Sequence, residues 1–343
     1  VEIFSGDFGT ADAQKEMLNA LHMNTRNQLT ATFLVAASTL TALADAPAAP
    51  VPALTFDGYA VATATSATTG GVSSTSMDVN AAKFGVHYTS GNISAYGSIY
   101  YNGTQTNVLD AYATITEGST AITVGKFLSY MGYEAFDIPN MNQISYANGG
   151  LIGFPIPAYH SGVKLDYSAS TFATGVAVVD SIYGSTLYKG DGDLKIPGLE
   201  AYFTYKGIKD TQIWFGIADE VATSTRVYDL WVQYNLNKTD FVAVEALYKN
   251  TAGYDWLVEY VKALTPKVSL TSRISGDGAS SWYSAANYGT TGGAKTTDLK
   301  FTLAPSYSFN DHFLIRAEVS YINYTNYTAS STTFFGAQSI LKF

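Results

Sequence analysis

From Leu54 to Phe343, apolar and polar residues alternate with a period of two, in segments interrupted by turns. In "HFLIRAEVSY", Phe313, Ile315, Ala317, Val319 and Tyr321 fall on one face, and Arg316, Glu318 and Ser320 on the other. "DLKFTLAPSYSF" sets Leu299, Phe301, Leu303 and Tyr307 against Asp298, Lys300 and Thr302. In "FFGAQSILKF", Phe335, Ala337, Leu341 and Phe343 share a face, with Gln338 and Lys342 on the other. Successive side chains of a strand point to opposite sides, so this period, with charges confined to one side, predicts strands with one apolar face. The joining turns hold Gly, Asn, Asp or Pro. Ser-Gly-Asn in "KFGVHYTSGNISAYGSIYY" and Glu-Gly-Ser in "LDAYATITEGSTAITVGKF" are hairpin chemistry.

Seven such hairpins, a first strand near 54–64 and a last near 333–343 predict sixteen strands. Each approaches the ~9–11 residues that a tilted strand needs to cross a bilayer, and an even number suits a closed bacterial barrel. Both ends of the sheet then fall on the side of the short turns. The alternate connections, expected outside, run over 65–77, 103–106, 128–158, 181–197, 220–225, 249–252, 276–296 and 325–332. The expected fold class is all-β: a transmembrane antiparallel β-barrel of about 16 strands, with long external loops and short periplasmic turns. A soluble β-sandwich also buries one face, but its strands are usually ~5–6 residues long. Aromatic residues at the strand ends match a membrane-interface girdle instead.

Composition agrees. Hydrophobic residues make up 47% of the 343 residues and charged residues 14%, against about 25% charged in average soluble proteins. The chain carries 26 Tyr and 18 Phe. The body of the chain has no apolar run of ~20 residues, as a spanning helix requires. A mean hydropathy of +0.05 is what lipid-facing and lumen-facing residues average to. With no Cys, a disulfide scaffold and thiolate metal sites are excluded. A net charge of −9 disfavours nucleic acid as a partner. No cofactor or metal site is expected; "KGDGDLK" at 189–195 lacks the ligand spacing of an EF-hand loop and reads as a polar turn.

Residues 23–44 read as a secretory signal peptide. Arg26 supplies the positive region, Leu29 to Leu43 the apolar region, and Ala42-Leu43-Ala44 the cleavage site. Residues 1–22 carry an acidic lead that fits poorly before such a signal, so they read as an upstream extension called too early, with Met23 the expected initiator. Residues 45–53 form a Pro/Ala-rich linker, too rich in Pro to join a sheet, and 54–343 the barrel.

The alternation breaks once at length, in "GKFLSYMGYEAFDIPNMNQISYANGG", residues 125–150. Loops this long inside a compact domain are usually functional or disordered. The stretch "VGKFLSYMGYEAFDIPNMNQISYA" after a strand, together with the terminal Phe343 after an alternating strand, resembles the OmpL-like β-barrel porins. The resemblance covers about 54–343. It implies an outer-membrane porin, a water-filled channel for passive diffusion of ions and small hydrophilic solutes. It also implies a homotrimer, recognition of Phe343 as an assembly signal by the barrel-assembly machinery, and an infolded third loop that narrows the pore. Backbone without helix is tolerated at membrane depth where it lines a water-filled cavity.

On that reading Phe136, Ile138, Met141 and Ile144 pack loop 128–158 onto the inner wall, and Glu134 and Asp137 point into the pore. Strand parity turns Lys83, Lys164, Arg273, Lys300 and Arg316 toward the lumen, predicting a transverse field between acidic loop and basic wall. Two other classes are weighed. An adhesin or structural barrel would bind through long loops such as "SGDGASSWYSAANYGTTGGAKT". A barrel enzyme needs a His with Ser or Asp. His87, His160 beside Ser161, and His312 beside Asp311 lie in no recognisable nucleophile motif.

Overall fold

The computed structural model describes residues 51–147, 156–183, 197–279, 296–326 and 330–343. The expected upstream extension 1–22, the expected signal peptide 23–44, residues 45–50 of the expected linker, the expected polar turn 189–195 and most of the expected connection 276–296 lie outside the described residues.

Sixteen strands follow in order. They are β1 Ala53–Thr69, β2 Val72–Ser90, β3 Ile93–Tyr101, β4 Thr106–Glu117, β5 Thr120–Leu128, β6 Tyr159–Ser168, β7 Phe172–Val179 and β8 Gly198–Tyr205. Then come β9 Thr211–Glu220, β10 Thr225–Asn235, β11 Phe241–Lys249, β12 Gly253–Thr265, β13 Val268–Ala279, β14 Thr296–Ser308, β15 Phe313–Thr325 and β16 Ser331–Lys342. Each pairs antiparallel with its neighbours in sequence, and β1 pairs with β16 to close the barrel. Closure matters physically, because an open edge would leave backbone N–H and C=O groups facing hydrocarbon.

The two faces invert the burial of a soluble domain. Leu303, Ile315 and Leu341 are 48%, 43% and 52% exposed, whereas Glu245, Glu259 and Arg273 are each 1% exposed. The apolar face meets lipid and the charged face is buried inside. Every face assigned above to β14, β15 and β16 has this sense.

The expected external connection at 65–77 is a correction. β1 and β2 continue through it and turn at Gly70 and Gly71, whose positive φ of 56° and 85° suit a tight hairpin. The Ser/Thr-rich sequence hid these strands because both their faces are polar or exposed. Cross-strand hydroxyl pairs hold them, Thr65–Ser76 and Thr68–Ser73 at 2.8 Å each. Likewise β13 and β14 extend into the expected connection 276–296.

At the closing seam Phe343 exchanges backbone hydrogen bonds with Gly58, at 3.0 and 3.2 Å. Its ring lies where a Gly58 Cβ would stand, 2.6 Å away, and is 6.4 Å from the Phe84 ring. Deleting Phe343 is therefore expected to lower the yield of heat-modifiable, membrane-inserted protein more than deleting residues 45–52; equal yields would refute a role for this seam. Leu303→Arg, on the lipid face near the middle of β14, is expected to destabilise the folded protein by about 2–4 kcal/mol. Urea unfolding in lipid vesicles measures it.

Candidate functional site

Leaving β5, the chain does not pass over the barrel mouth. The described residues of this loop, 129–147 and 156–158, contact inward-facing side chains on opposite sides of the barrel, from Tyr59 on β1 and Lys83 on β2 to Glu200 on β8, Glu245 on β11 and Glu318 on β15, which places this part of the loop inside. Apolar packing seats one part of it. Phe136 and Ile138 lie against a buried cluster that includes Tyr59, Val61, Ala81, Leu109 and Ile340. Phe136 makes edge contacts with Tyr100 and Tyr159, at centroid distances of 6.1 and 5.1 Å. Met141 is buried, and Ile144 covers Gly336. Apart from one 3₁₀ turn at Ile138–Asn140, the described loop residues have no regular structure of their own.

Its backbone is satisfied by wall charges. Tyr130 N–H and the Ser129 hydroxyl donate to Glu200 on β8 at 3.2 and 2.6 Å. Gly132 N–H donates to Asp229 on β10 at 2.8 Å, and Tyr133 N–H to Glu245 on β11 at 2.7 Å. Further along, Ile144 and Ser145 N–H groups donate to Glu318 on β15 at 2.6 and 2.9 Å. Loop carbonyls take the opposite charge. Arg316 donates to the carbonyls of Met141 and Gln143, Arg273 to that of Ser145 at 2.9 Å, and Lys300 to that of Tyr146 at 2.9 Å. Charge-assisted bonds of this kind are the strong ones.

The residues singled out from sequence thus converge on one loop–wall network. Lys83 lies 3.1 Å from Asp137 and 3.1 Å from Asp110 on β4. Tyr59 O–H also donates to Asp137, at 3.0 Å. Glu134 is not free in the lumen. It is buried and ion-paired with Arg273, and it accepts from Gln143 and from Ala147 N–H. Lys164 lies over the Phe127 and Tyr130 rings, at 5.0 and 5.2 Å. Asp137 is the more accessible of the two loop acids, its side chain 32% exposed against 2% for Glu134.

Sequence reasoning missed the wall carboxylates Glu200, Asp229, Glu245, Glu259 and Glu318 as loop anchors. Parity marks them as lumen-facing, but nothing local marks their partners. Burial raises the hydroxyl of the loop residue Tyr133 above its ordinary pKa, and the charges of Glu259, Glu245 and Glu134 add to the rise. It remains a neutral donor, to Gln233 at 3.1 Å.

Two cavities adjoin the loop. One of about 310 Å³ is lined by Tyr133, Asn140, Asn142, Gln143, Gln233 and Glu259 among others. The other, of about 360 Å³, lies between the Leu128–Met141 stretch and Tyr100. His160 is fully buried 3.6 Å from Glu200, while Ser161, the next residue along the strand, is exposed; alternation separates the two. His87 pairs with Asp57 at 3.2 Å. His312 lies in a turn, its Nδ1 3.1 Å from the Lys342 carbonyl. Among the described residues no group of His, Asp and Glu could hold a metal ion.

A closed sixteen-strand barrel with an apolar outer belt, a charged inner wall and a loop drawn inside defines an outer-membrane protein of the porin class. The family "Putative beta-barrel porin-2, OmpL-like" matches residues 57–343, and the chain belongs to it. No curated protein sequence matches. Solved porin structures share the fold. OprB of Pseudomonas putida aligns with a TM-score of 0.63 at 10% identity, covering 84% of this chain and 94% of its own. The anion-selective porin from Comamonas acidovorans aligns at 0.61 and 9% identity, covering 85% and 100%. OmpT of Vibrio cholerae aligns at 0.60 and 13% identity, covering 87% and 100%. The protein is an outer-membrane porin with a channel-type function.

The buried Glu134–Arg273 pair tests the anchoring. Arg273→Met leaves a buried carboxylate without its counter-charge, a loss of about 3–5 kcal/mol. Loop 129–158 is expected to become protease-sensitive in refolded protein while the barrel stays heat-modifiable. The double variant Glu134→Gln/Arg273→Met should recover much of the resistance. Equal sensitivity of single and double variants would exclude the pair as an anchor.

Proposed function

We propose that the protein is a water-filled channel for passive diffusion of ions and small hydrophilic solutes, narrowed by loop 129–158 and preferring cations. The observation that carries this reading is the loop held inside a barrel whose inner wall is charged. A lumen of sixteen strands is wide enough for an aqueous path, and a loop crossing it sets the narrowest point. From β8 to β12 the lumen face presents Glu200, Glu220, Asp229, Glu245, Asp255 and Glu259, with Lys249 the basic residue on that face among the described residues. Acidic linings favour cations. The bases Arg273, Lys300 and Arg316 stand on β13–β15, so a field between acidic and basic sectors of the wall would add to the one between loop acids and wall bases.

The same reading takes the barrel as non-catalytic, inserted by the assembly machinery through its Phe343 strand, and homotrimeric. A shallow outer groove lined by Ala62, Ala64, Ala317 and Ala337 is compatible with subunit contact. An adhesin with a filled lumen is the competing reading, and planar-bilayer recording separates the two, since a plugged barrel passes no current steps.

Asp137→Asn is expected to move the reversal potential in a salt gradient toward zero. At 4 Å a unit charge acts on an ion with about 1 kcal/mol in water and about 4 at an effective dielectric of 20, and ~1.4 kcal/mol is tenfold in relative permeation. Deleting residues 134–150 should raise single-channel conductance. If both quantities stay unchanged, the loop does not set the narrowest point.

A further inference from the structure

Five rings form a continuous arc on the lumen side of β8–β10. The loop residue Tyr130 lies 4.6 Å from Tyr202, which is 6.2 Å from Trp214; Trp214 is 5.8 Å from Trp231, and Trp231 is 5.5 Å from the loop residue Tyr133. The two indoles are nearly parallel, at 6°, and sit on directly paired positions of β9 and β10. Trp214 leans over Gly216, whose missing side chain leaves room for the ring. Tyr202, Trp231 and both loop tyrosines are half-buried, so the arc keeps surface open.

Beside the arc are amides. Gln212 and Gln233 are cross-strand partners one inward position from the paired tryptophans, toward the periplasmic turns. Gln233 donates to Asn235 at 2.9 Å and accepts from Tyr133. Asn140, Asn142 and Gln233 line the 310 Å³ cavity together with Tyr133. Small-ligand pockets begin at roughly 300 Å³. Of the carboxylates nearby, Asp166 is half-buried and accepts from the Tyr130 hydroxyl at 2.9 Å, and three others are buried. Asp229, Glu245 and Glu259 are each 1% exposed and take hydrogen bonds from Gly132, Tyr133 and Asn142.

We propose that this arc and its amide rim form a subsite for a neutral sugar ring of the pyranose class. The groups within reach are chiefly aromatic surfaces and amides, with Lys164 and Asp166 beside Tyr130 at one end of the arc. A pyranose has one face of C–H groups that packs on an aromatic ring, whose face carries partial negative charge. Its rim of hydroxyls both donates and accepts, as amides do. An organic cation would instead call for a free, exposed carboxylate, and here Asp229, Glu245 and Glu259 are buried and Asp166 is bonded to Tyr130. The subsite rests on the channel reading and gives that channel a substrate class.

Maltose is the probe, and mannitol, a polyol without a ring, is the control. In single-channel recordings of the full-length protein, maltose is expected to cause concentration-dependent current interruptions that mannitol does not. Trp231→Phe should retain them, and Trp231→Ala should need about tenfold more maltose for the same block. Equal effects of maltose and mannitol in a conducting protein would overturn the subsite and leave the channel standing. Absence of conductance would sink the channel reading. The subsite would then be read by fluorescence: maltose should perturb the emission of the refolded protein, which has 4 Trp, more strongly in wild type than in Trp231→Phe. No perturbation overturns the proposal as well.

Discussion

An irregular backbone drawn inside a membrane barrel must find a hydrogen-bond partner for every polar group that water does not reach. Strands satisfy one another, but the described part of the loop, residues 129–147 and 156–158, meets only some of its backbone groups internally, as where Ala147 N–H donates to Glu134 and Met141 N–H to the Ile138 carbonyl. The wall supplies what is missing. Carboxylates on β8, β10, β11 and β15 take the loop's N–H groups, and bases on β13, β14 and β15 take its carbonyls. The inward charges of this protein are therefore structural as well as electrostatic. A neutral wall of the same shape would leave much of the loop's backbone unmet, and only the apolar packing of residues such as Phe136 and Ile138 would hold it inside.

That requirement orders the rest of the interior. The apolar seat on β1, β2, β4 and β16 receives Phe136 and Ile138. The acidic strands β8–β12 receive the first turn of the loop, and the basic strands β13–β15 its return. Neighbouring Ser181, Ile182 and Tyr183 repeat the device on a second connection, donating to Glu220 on β9. Such networks are strong when fully satisfied and costly when one member is lost.

Function then depends on what the anchoring leaves over. Glu134 and Arg273 neutralise each other in the dry part of the network, so neither meets a solute directly. Asp137 keeps partial exposure, and the proposed cation preference rests on it and on the surplus of wall carboxylates. Where the carboxylates are committed, the remaining accessible surface is aromatic and amide in character, around Trp231, Tyr133 and Gln233. On the proposed reading, ion preference and solute contact would thereby rest on different residues of one wall.

Strand number, face assignment and the position of the odd loop were legible in the sequence because they are local. A period of two is read residue by residue, as in Phe313 to Tyr321, and the loss of that period marks residues 125–150. Local signals failed where polarity does not alternate, as in the Ser/Thr-rich ends of β1 and β2, which only cross-strand bonding makes into strands. They failed also for the anchors. Glu134 meets Arg273 across 139 residues of chain and Gly132 meets Asp229 across 97. Parity turns each wall charge inward, but closure of the barrel alone decides which loop group stands in front of it.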